Sequence, residues 1–200
     1  MRSVLEISRE LASIARAGST FCENDYDRNR YDRLHEISSE LVGVTGGMPE
    51  FRWPLEPGYL TPKVDVRCVV FRDSEVLLVK ERASGCWTLP GGWADVNYSP
   101  GENAEKECVE ESGYVVKARR VVSVKDRDRA GYPPNPHAIY KVYVLAELLG
   151  GESQTSVETS DVGFFPIGDL PDLDLERTSA EEIERAFAMT TDSSLPTTFN

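Results

Sequence analysis

Two stretches near the start of the chain repeat apolar residues at helical spacing. Residues 3–17 place Val4, Ile7, Leu11 and Ile14 on one stripe, and residues 27–42 do the same with Tyr31, Leu34, Ile37 or Ser38, and Leu41. The intervening GSTFCENDY is rich in turn formers, so the pair predicts a helical hairpin. From residue 64 the period changes. VDVRCVVF alternates and is rich in β-branched residues, EVLLVKE follows, and Asp73-Ser74 supplies the turn between them. YVVKARRVVSVKD and HAIYKVYVLAELL read as long strands and VGFFPI as a short one. Between them, residues 100–112 predict a helix about 20 Å long. A last helix starts at Ser179, with Glu182 spaced for a capping box.

Residues 43–63 carry four prolines and four glycines, which marks a linker. Its Phe51, Trp53, Leu55 and Tyr59 are apolar enough to predict partial order. The divisions expected are a helical N-terminal domain over 1–45, a linker over 46–63 and a main domain over 64–200. No internal repeat is present. The order of strands, helix, strands, helix predicts an α+β class with a mixed sheet sandwiched by helices.

Composition adds limits to this picture. Two hundred residues suit one ordinary domain with an appendage. No run approaches 18 apolar residues, and the N-terminal stretch is amphipathic, so neither a membrane span nor a signal peptide is expected. The formal net charge of −12 makes non-specific nucleic-acid binding unfavourable. DNA is not expected as a partner, and RNA is possible but not favoured. Cys22, Cys68, Cys86 and Cys108 have no C-x-x-C spacing, which argues against a zinc site and suits a reducing cytoplasm.

The densest chemistry lies in GGWADVNYSPGENAEKECVEESG, residues 91–113. Ser99 can cap the helix, Pro100 suits its first turn, Glu102 completes an S-x-x-E box, and Gly113 suits the left-handed residue after it. Glu107, Glu110 and Glu111 then stand at i, i+3 and i+4, on one face. Three carboxylates so placed repel one another unless a cation lies among them, and a hard divalent ion, Mg²⁺ or Mn²⁺, fits oxygen ligands. Taken alone, E-x-x-E-E more often marks a solvated helix face. The Gly-Gly lead, the cap and the closing Gly at fixed offsets favour the functional reading.

This segment resembles a Nudix box, the signature of hydrolases acting on a nucleoside diphosphate linked to another group. Gly92 opens it, the three glutamates form its metal-binding face and Gly113 closes it. Tyr98 stands where the family usually has Glu, and Lys106 where it usually has Arg, replacing a planar fork by a point charge. A narrower resemblance spans nearly the whole chain. ISRELASIARAGSTFCENDYDRNRYDRLHEIS, the variant box and VETSDVGFFPIGDLPDLDLERTS together are similar to a subgroup with a helical N-terminal domain, resembling CDP-choline pyrophosphatases and ADP-ribose pyrophosphatase-like proteins. The resemblance implies the Nudix α/β/α sandwich. It also implies a metal-dependent pyrophosphohydrolase that releases a nucleoside monophosphate and a phosphorylated moiety, with CDP-choline first and ADP-ribose second as substrates, and a homodimer through the N-terminal domain. An RNA-processing Nudix activity and a non-catalytic nucleotide sensor are the alternatives. Retention of all three helical glutamates counts against the sensor.

Within that reading, Glu107 and Glu111 are the first candidates for direct ligands and Glu110 the third, as ligand or as the group orienting water. Glu158 is a candidate base or additional ligand from outside the box. Gly91 and Gly92 would let phosphate or metal approach the backbone. Arg67, with Arg119, Arg127 and Arg129 as other choices, could meet phosphates. Trp53, Trp87, Trp93 and Tyr98 offer surfaces for a base, although core packing is the commoner fate of each tryptophan. Tyr140, with His137, could line the pocket.

Overall fold

The structure is a computed structural model that describes residues 2–200. It divides into two compact units, one running through Pro62 together with Pro134–Ala138, the other comprising Lys63–Pro133 and Ile139–Asn200.

The first unit is built on two helices, α1 (Val4–Phe21) and α2 (Asp25–Gly46). Ser3 and Glu6 form a reciprocal capping box at the start of α1, Asn24 caps α2, and Gly47 closes α2 in the left-handed conformation. Both helices are longer than the sequence pattern predicts. Gly18 belongs to α1 rather than to a turn. A Cβ there would lie 2.3 Å from the ring of Tyr31, so the glycine permits the close approach of the two helices.

The buried face of α1 also differs from the expected apolar stripe. Ser8, Ala12, Ala15 and Ser19 are buried, and these small side chains let α2 pack closely. Val4, Ile7, Ile14 and Phe21 instead face outward and are exposed. Part of the linker is ordered. Trp53 is buried with Ala12 and Val42, and Phe51 packs edge-on against it with ring centroids 4.8 Å apart. Leu55 and Tyr59, expected to tuck in, are exposed.

The second unit is the α/β/α sandwich that the resemblance implies, with the mixed sheet expected from the element order. Its elements are β1 (Lys63–Arg72), β2 (Glu75–Glu81), β3 (Trp87–Thr88), β4 (Gly91–Trp93), α3 (Pro100–Ser112), β5 (Tyr114–Asp126), β6 (Ile139–Gly151), β7 (Thr159–Pro166), α4 (Ala180–Thr191) and β8 (Thr198–Phe199). The path runs β3-β2-β1-β6-β5-β8, with β4 pairing β1 and β7 pairing β2. The sheet is mixed, because β1 runs parallel to β6 and antiparallel to β2 and β4. Strand β1 is the hub. Val66, Cys68 and Val70 face α3 in a core with Ala104 and Cys108, while Val69 joins Ile183, Ala186 and Met189 of α4 in the core on the opposite face. The short β3, β4 and β8 are not evident from the sequence pattern.

One capping expectation fails by half. Ser179 caps α4 by accepting the Glu182 amide N–H, but the Glu182 carboxylate does not return to Ser179. It accepts from Ser123 Oγ at 2.6 Å and pairs with Lys125 at 3.7 Å. A buried carboxylate is better stabilised by a hydroxyl and an ammonium than by one terminal amide.

Candidate active site

The glutamate helix is held in place along its whole length. Ser99 and Glu102 form the predicted capping box, Pro100 sits in the first turn, and Gly113 closes the helix at φ 78°. Asn103 is buried and ties the preceding loop to the helix. Its Oδ1 accepts from the Asp95 N–H at 2.8 Å, and its Nδ2 donates to the carbonyls of Tyr98 and Ser99. Glu105 faces the sheet and accepts the Ala118 N–H at 2.9 Å, at a point where the β5–β6 register slips. At the far end, Thr159 Oγ1 donates to the Glu111 carbonyl and Gln154 N–H to the Ser112 carbonyl, both at 2.9 Å.

The three glutamates occupy graded environments. Glu110 is exposed, Glu107 is largely sheltered, and Glu111 is buried. Burial is the largest cause acting on Glu111 and pushes its carboxyl up to about 7, helped by the charges of Glu107 and Glu81. The Gly91 N–H, donating to Glu111 Oε2 at 2.9 Å, and the charge of Arg67 act in the opposite direction. Burial likewise raises Glu107, with Lys106 opposing. Both carboxyls sit where negative charge is penalised until a cation arrives.

Lys106 supplies one such charge. Its ammonium lies 2.7 Å from Glu110, 3.4 Å from Glu107 and 3.2 Å from Asp95. It bridges the helix face to the loop, and the hydrogen bond to Glu110 is the main cause raising its pKa. Lys106→Met should therefore leave the fold intact, since the side chain is near the surface. It should lower turnover about 10- to 100-fold by releasing the two glutamates, while Lys106→Arg should stay near wild type. Steady-state kinetics alongside circular dichroism checks both.

The donors fit a hard divalent cation. All are carboxylate oxygens, and two of them are destabilised without a cation. Among the described residues no three His, Cys, Asp or Glu side chains converge into a ready-made cage. Glu107 and Glu111 would hold the cation, with Glu110 beside them.

The remaining candidates are more dispersed. Gly91 lies at φ 143° and packs against β1, where a Cβ would come within 2.0 Å of the Val66 carbonyl oxygen. Gly92 faces Glu107, whose Oε2 would lie 3.5 Å from an added Cβ. Tyr98 and Tyr140 are half-exposed, on the box loop and on β6. Glu158 is exposed at the surface, one residue before the Thr159 that bonds the end of α3. Trp93 is half-exposed with the Lys63 ammonium 5.8 Å from its ring centre, whereas Trp87 packs on Phe165 with centroids 4.6 Å apart. Arg119 and Arg129 pair with Glu147 and Asp126. His137 lies with Phe51 and Trp53 in the first unit.

Arg67 is not a surface phosphate clamp. It is 3% exposed, its Nε donates to Asp65 at 2.9 Å and its Nη1 to the Leu89 carbonyl at 3.2 Å. Asp65 also pairs with Lys141, which is 1% exposed. Burial, then the Arg67 charge, pushes the Lys141 ammonium down to about 8, against the pull of Asp65. Sequence reasoning missed Asp65, Lys141 and the buried Glu81, which pairs with Arg177 at 3.7 Å. Their signal was a charge set inside an apolar strand. Asp65 and Arg67, two residues apart, must share a face.

Comparison with known proteins gives the family. The NUDIX domain family matches residues 61–187, and residues 2–48 match a UDP-X-like, N-terminal oligomerisation domain. The chain belongs to the Nudix hydrolases. It is 36% identical over 187 residues to a Bacillus subtilis (strain 168) protein provisionally named ADP-ribose pyrophosphatase, covering 92% of this chain and 90% of that one. A Streptococcus suis 89-1591 crystal structure titled as an ADP-ribose pyrophosphatase is 41% identical, with a TM-score of 0.64 over 70% of this chain and all of the other. A crystal structure titled UDP-X diphosphatase is 30% identical, with a TM-score of 0.65 over 98% of each chain. No described helix is long and apolar enough to cross a membrane.

Proposed function

We propose that this Nudix hydrolase is a Mg²⁺- or Mn²⁺-dependent pyrophosphohydrolase. It would cleave a nucleoside diphosphate linked to a second group into a nucleoside monophosphate and a phosphorylated moiety. The observation that carries this reading is the buried Glu111, raised to about 7 and one helical turn from the sheltered Glu107. Such a pair is unfavourable in the metal-free chain and becomes favourable with a divalent ion. When bound, that ion would neutralise charge on the phosphate oxygens and lower the pKa of its water. The chain's own residues set the geometry. The Gly91 N–H fixes Glu111, Lys106 fixes Glu107 and Glu110, and Gly92 brings the β4 backbone against the Glu107 carboxylate. Glu158 remains a candidate base from outside the helix.

For the linked group we place ADP-ribose and nucleotide sugars ahead of CDP-choline. The relatives that match over most of this chain carry ADP-ribose and UDP-X names. In addition, the Lys63 ammonium already lies over Trp93, the kind of aromatic face that a quaternary ammonium would otherwise seek. RNA processing is less favoured because a chain of net charge −12 offers few phosphate contacts to a long strand.

We also propose a homo-oligomer through α1. Val4, Ile7, Leu11 and Ile14 fall at alternating spacings of three and four, a coiled-coil seam, and Val4, Ile7, Ile14 and Phe21 are exposed. The match of this segment to an oligomerisation domain supports the assignment. Ile14→Glu should convert the assembly to monomers in sedimentation. An unchanged mass would remove α1 from the interface.

A panel of ADP-ribose, UDP-glucose, CDP-choline, diadenosine polyphosphates, nucleoside triphosphates and capped RNA, with Mg²⁺, Mn²⁺ or chelator, tests the substrate class. Metal-dependent cleavage of a nucleotide sugar above the rest is the expected result. Tight nucleotide binding without cleavage of any compound would instead indicate a sensor.

A further inference from the structure

On the face of β1 opposite the glutamate helix lies a set of charged side chains that the reaction as described does not use. Asp65, Arg67 and Lys141 each lie at least nine-tenths buried. Burying charges is costly, and a buried pair is weak evidence for stability because apolar residues of similar volume often do as well. A structural role alone therefore explains this cluster poorly, so what Arg67 touches becomes informative.

Its Nη1 donates to the Leu89 carbonyl at 3.2 Å. The Leu89 N–H is held by Thr178 Oγ1 at 3.0 Å, and the Pro90 carbonyl accepts the Cys68 N–H at 2.8 Å. Every polar group of the Leu89–Pro90 stretch is thus fixed. The next donor along the backbone is the Gly91 N–H, which points at Glu111 Oε2. Proline has no N–H and a locked φ, so holding Leu89 and Pro90 sets the direction of the Gly91 amide. Asp65 holds the guanidinium from the other side, and Lys141 compensates Asp65.

We infer that Arg67 is a positioning residue for Glu111, acting through the Leu89–Gly91 turn, with Asp65 and Lys141 as its buried support. The assignment rests on the proposed metal-dependent reading of Glu111. It predicts that Arg67 never meets substrate but sets how tightly the carboxylate helix takes a divalent cation.

The test uses the full chain and three variants, Arg67→Lys, Arg67→Met and Asp65→Asn. Three quantities are read: Mn²⁺ binding by calorimetry without substrate, kcat and KM for ADP-ribose at saturating Mn²⁺, and thermal unfolding in chelator. Arg67→Met should weaken Mn²⁺ binding about 10- to 100-fold and lower kcat comparably, with KM changed less than about threefold. Arg67→Lys retains the charge but not the fork, and should recover at least part of the Mn²⁺ affinity. Asp65→Asn should fall between wild type and Arg67→Met. A rise in KM with Mn²⁺ binding unchanged would make Arg67 a substrate contact and overturn the inference. So would Mn²⁺ binding and kcat per folded molecule equal to wild type, or loss of the folded state in all three variants, either of which assigns the cluster to the fold alone. Wild-type turnover in Glu111→Gln would instead refute the metal-site reading itself, independently of Arg67.

Discussion

Glu111→Gln should reduce turnover by about a thousandfold or more and, in chelator at pH 8, raise the stability of the protein. The two effects share one cause. The substitution removes a buried carboxylate whose folded-state pKa is about 7 against an ordinary 4.5. Between those values the folded chain binds more protons than the unfolded chain, so the contribution of Glu111 to stability falls as pH rises through this window. Above pH 7 the gap corresponds to about 3 kcal/mol of penalty in the metal-free protein. Glutamine carries no charge at any of these pH values and its amide oxygen can still accept from Gly91. The variant should therefore unfold a few degrees higher than wild type in chelator at pH 8, and the difference should vanish near pH 4.5. Arg67 loses a compensating charge, which makes the gain smaller than the full penalty. Divalent metal should reverse the order by stabilising wild type alone. Thermal unfolding across pH, with and without Mg²⁺, reads all of this. A variant less stable than wild type in chelator at pH 8 would mean that Glu111 is paired well enough without metal.

Gly91→Ala is the second large effect. Its φ of 143° is a conformation that L side chains rarely adopt, and the new Cβ would lie 2.0 Å from the Val66 carbonyl oxygen and 2.9 Å from Arg67 Cα. Both are backbone atoms of β1, which is held by β4 on one side and β6 on the other. They cannot move without breaking the central ladder. The cost should be about 4 kcal/mol or more, measured by urea unfolding, and surviving molecules should lose the amide aimed at Glu111. Two neighbours calibrate the result. Gly168→Ala meets nothing within 4 Å and should be nearly silent in stability. Gly92→Ala meets only the Glu107 carboxylate at 3.5 Å, so it should keep the fold while lowering activity. Equal stability for Gly91→Ala and Gly168→Ala would contradict the strain argument.

The parts of this molecule that could be read from its sequence are those governed by local rules. Helix α3 begins and ends where Ser99, Glu102 and Gly113 say it should, because caps act over a few residues. Strands β2 and β5 coincide with their apolar patterns. The misreadings arise where a distant residue decides. Glu182 leaves its expected cap because Ser123 and Lys125, on β5, bind it better. Gly18 looks like a turn and is helical because Tyr31 packs over it. Arg67 looks like a phosphate ligand and is buried because Asp65 and Leu89 take its donors. Within the site, the spacing of Glu107, Glu110 and Glu111 puts them on one face. It does not reveal that Glu111 is buried and Glu110 exposed, since that depends on β1 and the Gly91 turn.

The claim on which the account turns is that this helix face takes a divalent cation. Mn²⁺ titrated into the full chain and followed by electron paramagnetic resonance tests it directly, in wild type, Glu107→Gln and Glu111→Gln, without reference to any substrate. The account predicts saturable binding to wild type and at least about tenfold weaker binding in each variant. Mn²⁺ affinity that is unchanged in both variants would contradict it.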